Sequence, residues 1–187
     1  MEDVLDVYAR PPDPARPLVC FDEGGKELRG DARPPLLAAP ARPARADYEY
    51  ARHGTASLFL WCAPHLGRRG VIVTEHRTRV DFAHTVQELV DVHFPAAEQI
   101  VLVLDNLNIH DPASLYTALP PAEAKRLWDR LEVHFTPKHG SWLNIAEIEL
   151  SVLGRQCLNR RLPNRAILAA EAAAWVAARN AEAATVD

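Results

Sequence analysis

The sequence predicts an α/β fold, a mixed sheet of about five strands with the first three antiparallel, flanked by helices. Three features carry that expectation. Ile100-Val101-Leu102-Val103-Leu104 is an unbroken apolar, β-branched run, the pattern of a strand covered on both faces. Apolar runs at Ala56–Ala63 and Gly70–Thr74 are separated only by a turn around Pro64 to Arg69, a link suited to an antiparallel hairpin. After Thr78 the apolar period becomes helical, with Phe82, Val86, Leu89, Val90 and His93 on one side.

Taken in order, residues 1–17 end in Pro11-Pro12-Asp13-Pro14-Ala15-Arg16-Pro17 and predict a stiff, extended linker before a domain over residues 18–187. Leu18 to Asp22 reads as the first strand, ended by Gly24-Gly25. Arg33 to Arg45 is proline-rich and predicts an exposed loop, after which come the two hairpin strands. Thr78 is a fitting N-cap for the next helix, with Asp81 three residues on. A strand over Ile100–Asp105 follows, then a helix begun by Pro120-Pro121 and running through Leu127 to Arg130. Leu131–Phe135 reads as a strand, Leu143 to about Leu158 as a helix, and about Asn164–Ala183 as an alanine-rich helix. Strands meandering first and then alternating with helices suit a ribonuclease-H-like layout.

At 187 residues the chain suits one domain. Its 48% hydrophobic and 25% charged residues are those of a soluble globular protein. No apolar segment is long enough to span a bilayer, and the acidic start Met1-Glu2-Asp3 argues against secretion. Cys20, Cys62 and Cys157 are odd in number and far apart, so they indicate neither a disulfide framework nor a zinc knuckle, and a reducing cytoplasm is expected. A net charge of −4 excludes a wholly basic nucleic-acid coat. The arginines are nevertheless grouped, with Arg29, Arg33, Arg42, Arg45 and Arg52 early and Arg155, Arg160, Arg161 and Arg165 late, a distribution that suggests phosphate contacts.

The chemistry-bearing residues are acids. Asp22 and Asp105 each follow an apolar strand, at the mouth of a sheet where open α/β folds place ligands. A third acid is available at Glu147 or Glu149. Two carboxylates about 4 Å apart repel by on the order of 4 kcal/mol at an effective dielectric of 20, so a converging trio implies a bound divalent cation. On the helix carrying the third acid, Asn144, Glu147, Ser151 and Arg155 form a polar stripe, while Ala146, Leu150, Leu153 and Cys157 form an apolar stripe able to pack on the sheet. Glu147 lies beside that contact and Glu149 shares its side with Ile145 and Val152; periodicity prefers Glu147 but leaves both open. Glu23 should point to the face of its strand opposite Asp22.

Three blocks carry a resemblance: Val19-Cys20-Phe21-Asp22-Glu23, Leu104-Asp105-Asn106-Leu107-Asn108-Ile109-His110, and Thr136-Pro137-Lys138-His139-Gly140-Ser141-Trp142-Leu143-Asn144-Ile145-Ala146-Glu147. In order and over roughly Leu18 to Asn180, they resemble the signature blocks of DDE transposases, most nearly the bacterial insertion sequences of the six-thirty group, relatives of the mariner elements. The resemblance implies a ribonuclease-H-like fold and a metal-binding catalytic triad of Asp22, Asp105 and Glu147, the last matching a Leu-Asn-x-x-Glu element. It also implies two Mg²⁺ (or Mn²⁺) ions, DNA partners in the form of terminal inverted repeats and a TA target, a homodimer on DNA, and a nucleoid-associated place in a bacterial cytoplasm. Such proteins carry helix-turn-helix modules ahead of the catalytic domain and continue beyond the point matching Asp187, so a truncated chain is expected. The alternatives are an inert remnant acting at most as a dimerisation or interfering partner, and a ribonuclease-H-like nuclease of other purpose.

Lys138, His139, Arg155, Arg160 and Arg161 are the candidate DNA contacts, the first two because a loop entering the Glu147 helix can meet phosphate. Trp142 is expected as a core anchor in preference to a base-stacking platform. His110, His134 and His139 lack His-x-x-His or His-x₃-His spacing, so zinc is not expected. His110 is open to a phosphate or water contact or to a supporting role in its loop. Asn106 and Asn108 suit a turn, and Ser141 has no His/Asp partner for nucleophilic catalysis.

Overall fold

Leu18–Asp31 (β1), Tyr50–Ala63 (β2) and Arg68–Thr74 (β3) form an antiparallel meander in the computed structural model, which describes residues 1–45 and 47–185. Ile100–Leu104 (β4) pairs in parallel with β1, and Leu131–Phe135 (β5) in parallel with β4, giving the order β3-β2-β1-β4-β5. Side chains alternate across these strands, and both faces are covered. Val19, Phe21, Phe59, Ile100 and Leu102 point into one core layer, closed by Phe82 and Val86 of Arg79–Glu88 (α2), Leu115 of Pro112–Ala118 (α3) and Leu127 of Pro121–Asp129 (α4). Cys20, Leu58, Leu60, Val101 and Val103 point into the other. That layer is closed by Val4 and Val7 of Glu2–Tyr8 (α1), Ala146 and Leu153 of Ile145–Leu153 (α5), and Leu168 and Trp175 of Arg165–Ala181 (α6).

Local signals set several boundaries as expected. Thr78 caps α2 through a reciprocal pair, its hydroxyl accepting from the Asp81 N–H and the Asp81 carboxylate accepting from its own N–H. Pro121 opens α4, and β5 covers Leu131–Phe135. The loop from Arg33 to Arg45 is exposed, pinched by bridges between Leu36 and Arg45 and between Ala39 and Arg42. No helix is long and apolar enough to cross a membrane among the described residues.

Two expectations are corrected, and one helix is added. Gly24-Gly25 does not end β1; pairing with β2 runs unbroken from Cys20–Cys62 through Gly25–Ser57 to Glu27–Thr55, and resumes at Arg29 after a bulge. Gly24 instead marks a close helix approach, since a Cβ there would lie 3.4 Å from a Leu150 methyl of α5. Asp111-Pro112 starts a helix, α3, with the Asp111 carboxylate accepting from the Ser114 N–H.

Residues 1–17 are also not one extended connector. Their first turns form α1, with Val4 and Val7 fully buried and the Tyr8 hydroxyl donating to the Leu143 carbonyl at 2.7 Å. The proline stretch behind it is anchored by Glu132 of β5, which accepts from Arg10 at 2.7 Å and from Arg16. Arg10 foremost, with His134 and Arg16, holds the Glu132 carboxyl down at about 2, against an ordinary 4.5 and despite some burial. A depressed carboxyl stabilises the fold above its unfolded value and loses that contribution as pH falls through the folded one. The stability advantage of the natural chain over a Glu132→Gln variant is therefore expected to be full above pH 4.5 and to vanish towards pH 2 in thermal melts.

Candidate metal centre

β1 and β4 run side by side in parallel with Cys20 opposite Val103. Asp22 and Asp105 each lie two residues beyond those paired positions, so the pleat gives both the side of the sheet on which α5 packs. Asn144 seats the helix that carries Glu147. It is fully buried at the N-cap of α5, its Oδ1 accepting from the Ala146 N–H at 3.1 Å and its Nδ2 donating to the Phe21 carbonyl at 2.8 Å. One side chain thus starts the helix and pins it to β1 one residue before Asp22, with Glu147 in the first turn.

The charges of the neighbouring acids bear on Asp22. The Asp22 carboxyl is pushed up to about 6 from 3.8, first by burial and then, against a lowering Glu23 N–H, by the negative charges of Glu23, Asp105 and Glu147. Asp105 is held below the usual carboxylate range, chiefly by a hydrogen bond from His110, with the Leu107 N–H assisting against burial. Oδ1 of Asp22 accepts from the Glu23 N–H at 2.8 Å, and Oδ1 of Asp105 accepts from the Leu107 N–H at 3.0 Å. Oδ2 of each, and both carboxylate oxygens of the exposed Glu147, accept no hydrogen bond among the described residues. Unshared carboxylate oxygens around a mutually repelling cluster are the donor set that Mg²⁺ or Mn²⁺ takes.

Glu149 belongs elsewhere. It is 3% exposed and lies 3.3 Å from Arg69 Nε of β3 and 3.5 Å from Arg179 Nη2 of α6, an ion pair between helix and sheet.

Sequence reasoning missed a buried partnership beneath the acids. Glu23 does take the face opposite Asp22, and there its side chain, 1% exposed, meets His110 Nε2 at 2.6 Å. The other ring nitrogen, Nδ1, lies 3.0 Å from both the backbone carbonyl and Oδ1 of Asp105. Burial opposes charge on this ring, but the hydrogen bonds to Asp105 and Glu23 win and push it up to about 10. The detectable signal was the turn Asp105–His110, short enough to return the imidazole to its own strand end.

The candidate DNA contacts divide. Lys138 and His139 are exposed on the loop between β5 and α5, and Arg155 is exposed two turns beyond Glu147; none of the three has an ion-pair partner among the described residues. Arg160 is taken up by Glu171 and the Cys157 carbonyl, and Arg161 by Asp31 at 2.6 Å. Trp142 is not a core anchor: it is 66% exposed, in the turn Ser141–Leu143 just before α5.

A five-stranded mixed sheet flanked by helices, with Asp22 and Asp105 on adjacent parallel strand ends, has the ribonuclease-H-like plan. The chain belongs to the DDE superfamily endonucleases, whose family model matches residues 17–168. Its fold is similar to that of the Mos1 mariner transposase. The chain matches the Mos1 paired-end complex with Mn at a TM-score of 0.62 and 16% identity, covering 97% of this chain and 54% of that one. It matches the paired-end complex with the left transposon end at 0.64 and 16%, covering 98% and 55%. It matches the Mos1 strand transfer complex at 0.62 and 16%, covering 95% and 51%. The chain therefore spans about half the length of these transposase chains. No curated protein matches the sequence.

Proposed function

We propose that this chain carries the catalytic domain of a transposase that cuts and joins DNA at the ends of a mobile element, with Asp22, Asp105 and Glu147 holding two Mg²⁺ or Mn²⁺ ions. The observation that carries this is that Asp22, with an unshared carboxylate oxygen, feels the charges of both Asp105 and Glu147. Ions bound there would activate the attacking oxygen and steady the leaving oxygen of a phosphodiester, as in two-metal phosphoryl transfer. The residues of the chain position: Asn144 sets Glu147 against β1, and the hydrogen bonds at Oδ1 of Asp22 and Asp105 turn their other oxygens free.

Around this centre, Lys138, His139 and Arg155 would meet backbone phosphates, and exposed Trp142 would stack on a base. Arg160 and Arg161 would do so only after leaving their present partners. The motif spacing supports the six-thirty group, and with it a TA target, terminal inverted repeats, a homodimer on DNA and a nucleoid location. The similar structures are a Mos1 mariner paired end complex and a Mos1 strand transfer complex, which favours this reading over an inert remnant or a nuclease acting on RNA–DNA hybrids.

The test is nicking of duplexes carrying the inverted repeats that flank the gene, with Mn²⁺ or EDTA. Cleavage is expected only with metal. Asp105→Asn and Glu147→Gln are each expected to lower it on the order of a thousandfold, since metal-borne charge stabilisation is worth several kcal/mol. Nicking unchanged in Asp105→Asn would remove the proposed centre.

A further inference from the structure

We infer that His110, seated by Glu23, is a positioning residue that sets Asp105 for metal, and that neither His110 nor Glu23 is itself a ligand. The inference rests on the metal reading above and deepens it. Ligand atoms of Glu23, Asp105 and His110 lie within 4.8 Å of one another, and such a trio invites the rival reading of a separate cation site. The contacts argue against it. His110 Nε2 and Glu23 Oε1 are 2.6 Å apart, a direct hydrogen bond with no space for an ion between them. Nδ1 donates to the Asp105 carbonyl at 3.0 Å and faces Oδ1 at the same distance, so both ring nitrogens are used.

The ring is wholly buried, with its centroid 5.0 Å from that of Phe82 and 5.9 Å from that of Phe21, two fully buried side chains that fix its plane. Its two contacts join β1, through Glu23 on the face opposite Asp22, to Asp105, the first residue after β4. Asp105 Oδ1 is then engaged from two directions, by Leu107 N–H and by His110, which leaves Oδ2 as its one oxygen without a hydrogen-bond partner among the described residues. Supporting hydrogen bonds of this kind orient ligands and are worth about 10–100-fold in metal affinity.

The test is calorimetric titration of the full chain with Mn²⁺ alone, with folding followed by circular dichroism. Asparagine places an amide N–H near the position of Nδ1, whereas glutamine reaches the position of Nε2. His110→Asn is therefore expected to bind Mn²⁺ within about threefold of the natural chain, and His110→Gln to lose about 10–100-fold. A merely space-filling histidine would not separate the two. Glu23→Gln keeps an acceptor for Nε2–H and is expected to cost about threefold or less; it also tests the arrangement should the His110 variants fail to fold. Equal Mn²⁺ affinity in the Asn, Gln and natural proteins, with Asp105→Asn unable to bind, would overturn the positioning role and leave the metal centre standing. A loss in Glu23→Gln as large as that in Asp105→Asn would make Glu23 a ligand and overturn it too. Absence of Mn²⁺ binding by the natural chain would overturn the proposed centre and this inference together.

Discussion

Asp22→Asn is expected to stabilise the metal-free protein by about 1–2 kcal/mol at pH 7.5 and to abolish its stabilisation by Mn²⁺. The two effects have one cause. The Asp22 carboxyl sits at about 6 instead of 3.8 because burial, with Glu23, Asp105 and Glu147 nearby, disfavours its charge. A group whose folded value is raised favours the fold below its unfolded value and loses that contribution as pH rises through the folded one. Above about pH 6 the ionised Asp22 is thus a standing cost that the asparagine removes, while its Oδ1 still accepts from the Glu23 N–H. At pH 4 the natural side chain is already largely protonated, and the advantage of the variant should shrink to nearly nothing. With Mn²⁺ at 100 times its dissociation constant, the natural protein should gain about 2.7 kcal/mol by mass action, and the variant almost none. Melts of both proteins at pH 4 and 7.5, with EDTA or Mn²⁺, check all four outcomes. A variant less stable than the natural chain in EDTA at pH 7.5 would show that the acids do not repel, and the centre would lose its electrostatic basis.

The same acids explain which parts of the molecule were legible in the sequence. Strand β4 was readable because burial on both faces leaves an uninterrupted apolar run, and α2 because Thr78 and Asp81 mark its start chemically. The ribonuclease-H-like layout is legible from a meander followed by strands alternating with helices. Glycine was misread at Gly24 because local propensity there yields to long-range pairing with β2 and to the space that Leu150 needs. Helix α1 was hidden because seven residues carry few periodic positions, and its stability comes from burying Val4 and Val7 against the sheet. Trp142 was placed in the core on residue type, yet it lies in a turn whose buried member is Leu143. Asp22, Asp105 and Glu147 are proposed on motif order. The contacts of Glu23 with His110 depend on the β1–β4 pairing, which no single stretch of sequence encodes.

The remaining choice, Glu147 or Glu149, is decided by stability. Arg69→Leu is expected to cost about 3–5 kcal/mol, a large share of the 5–15 kcal/mol that holds an ordinary domain together. Arg69 is 3% exposed and does more than face Glu149: Nη1 donates to the Arg179 carbonyl at 2.9 Å, and Nη2 to the Ala184 carbonyl at 2.7 Å. Its backbone N–H and C=O are both taken by the Asn180 side chain, at 2.9 Å each, so one residue of β3 fastens the end of α6. Leucine would leave Glu149 buried with only Arg179, 3.5 Å away, and would strip two carbonyls of their donor. Replacing both charges, Arg69→Leu with Glu149→Leu, should recover much of the loss, because the desolvation cost of a buried pair disappears with the pair. Glu147→Gln, in contrast, alters an exposed side chain without a protein partner among the described residues and should change urea stability by no more than about 0.5 kcal/mol. A glutamate whose loss leaves the fold intact but ends metal-dependent cleavage is a ligand; one whose loss weakens the fold at every metal concentration is a brace. The reverse pattern, a stability loss in Glu147→Gln and none in Glu149→Gln, would exchange their roles and move the metal centre to the other side of α5.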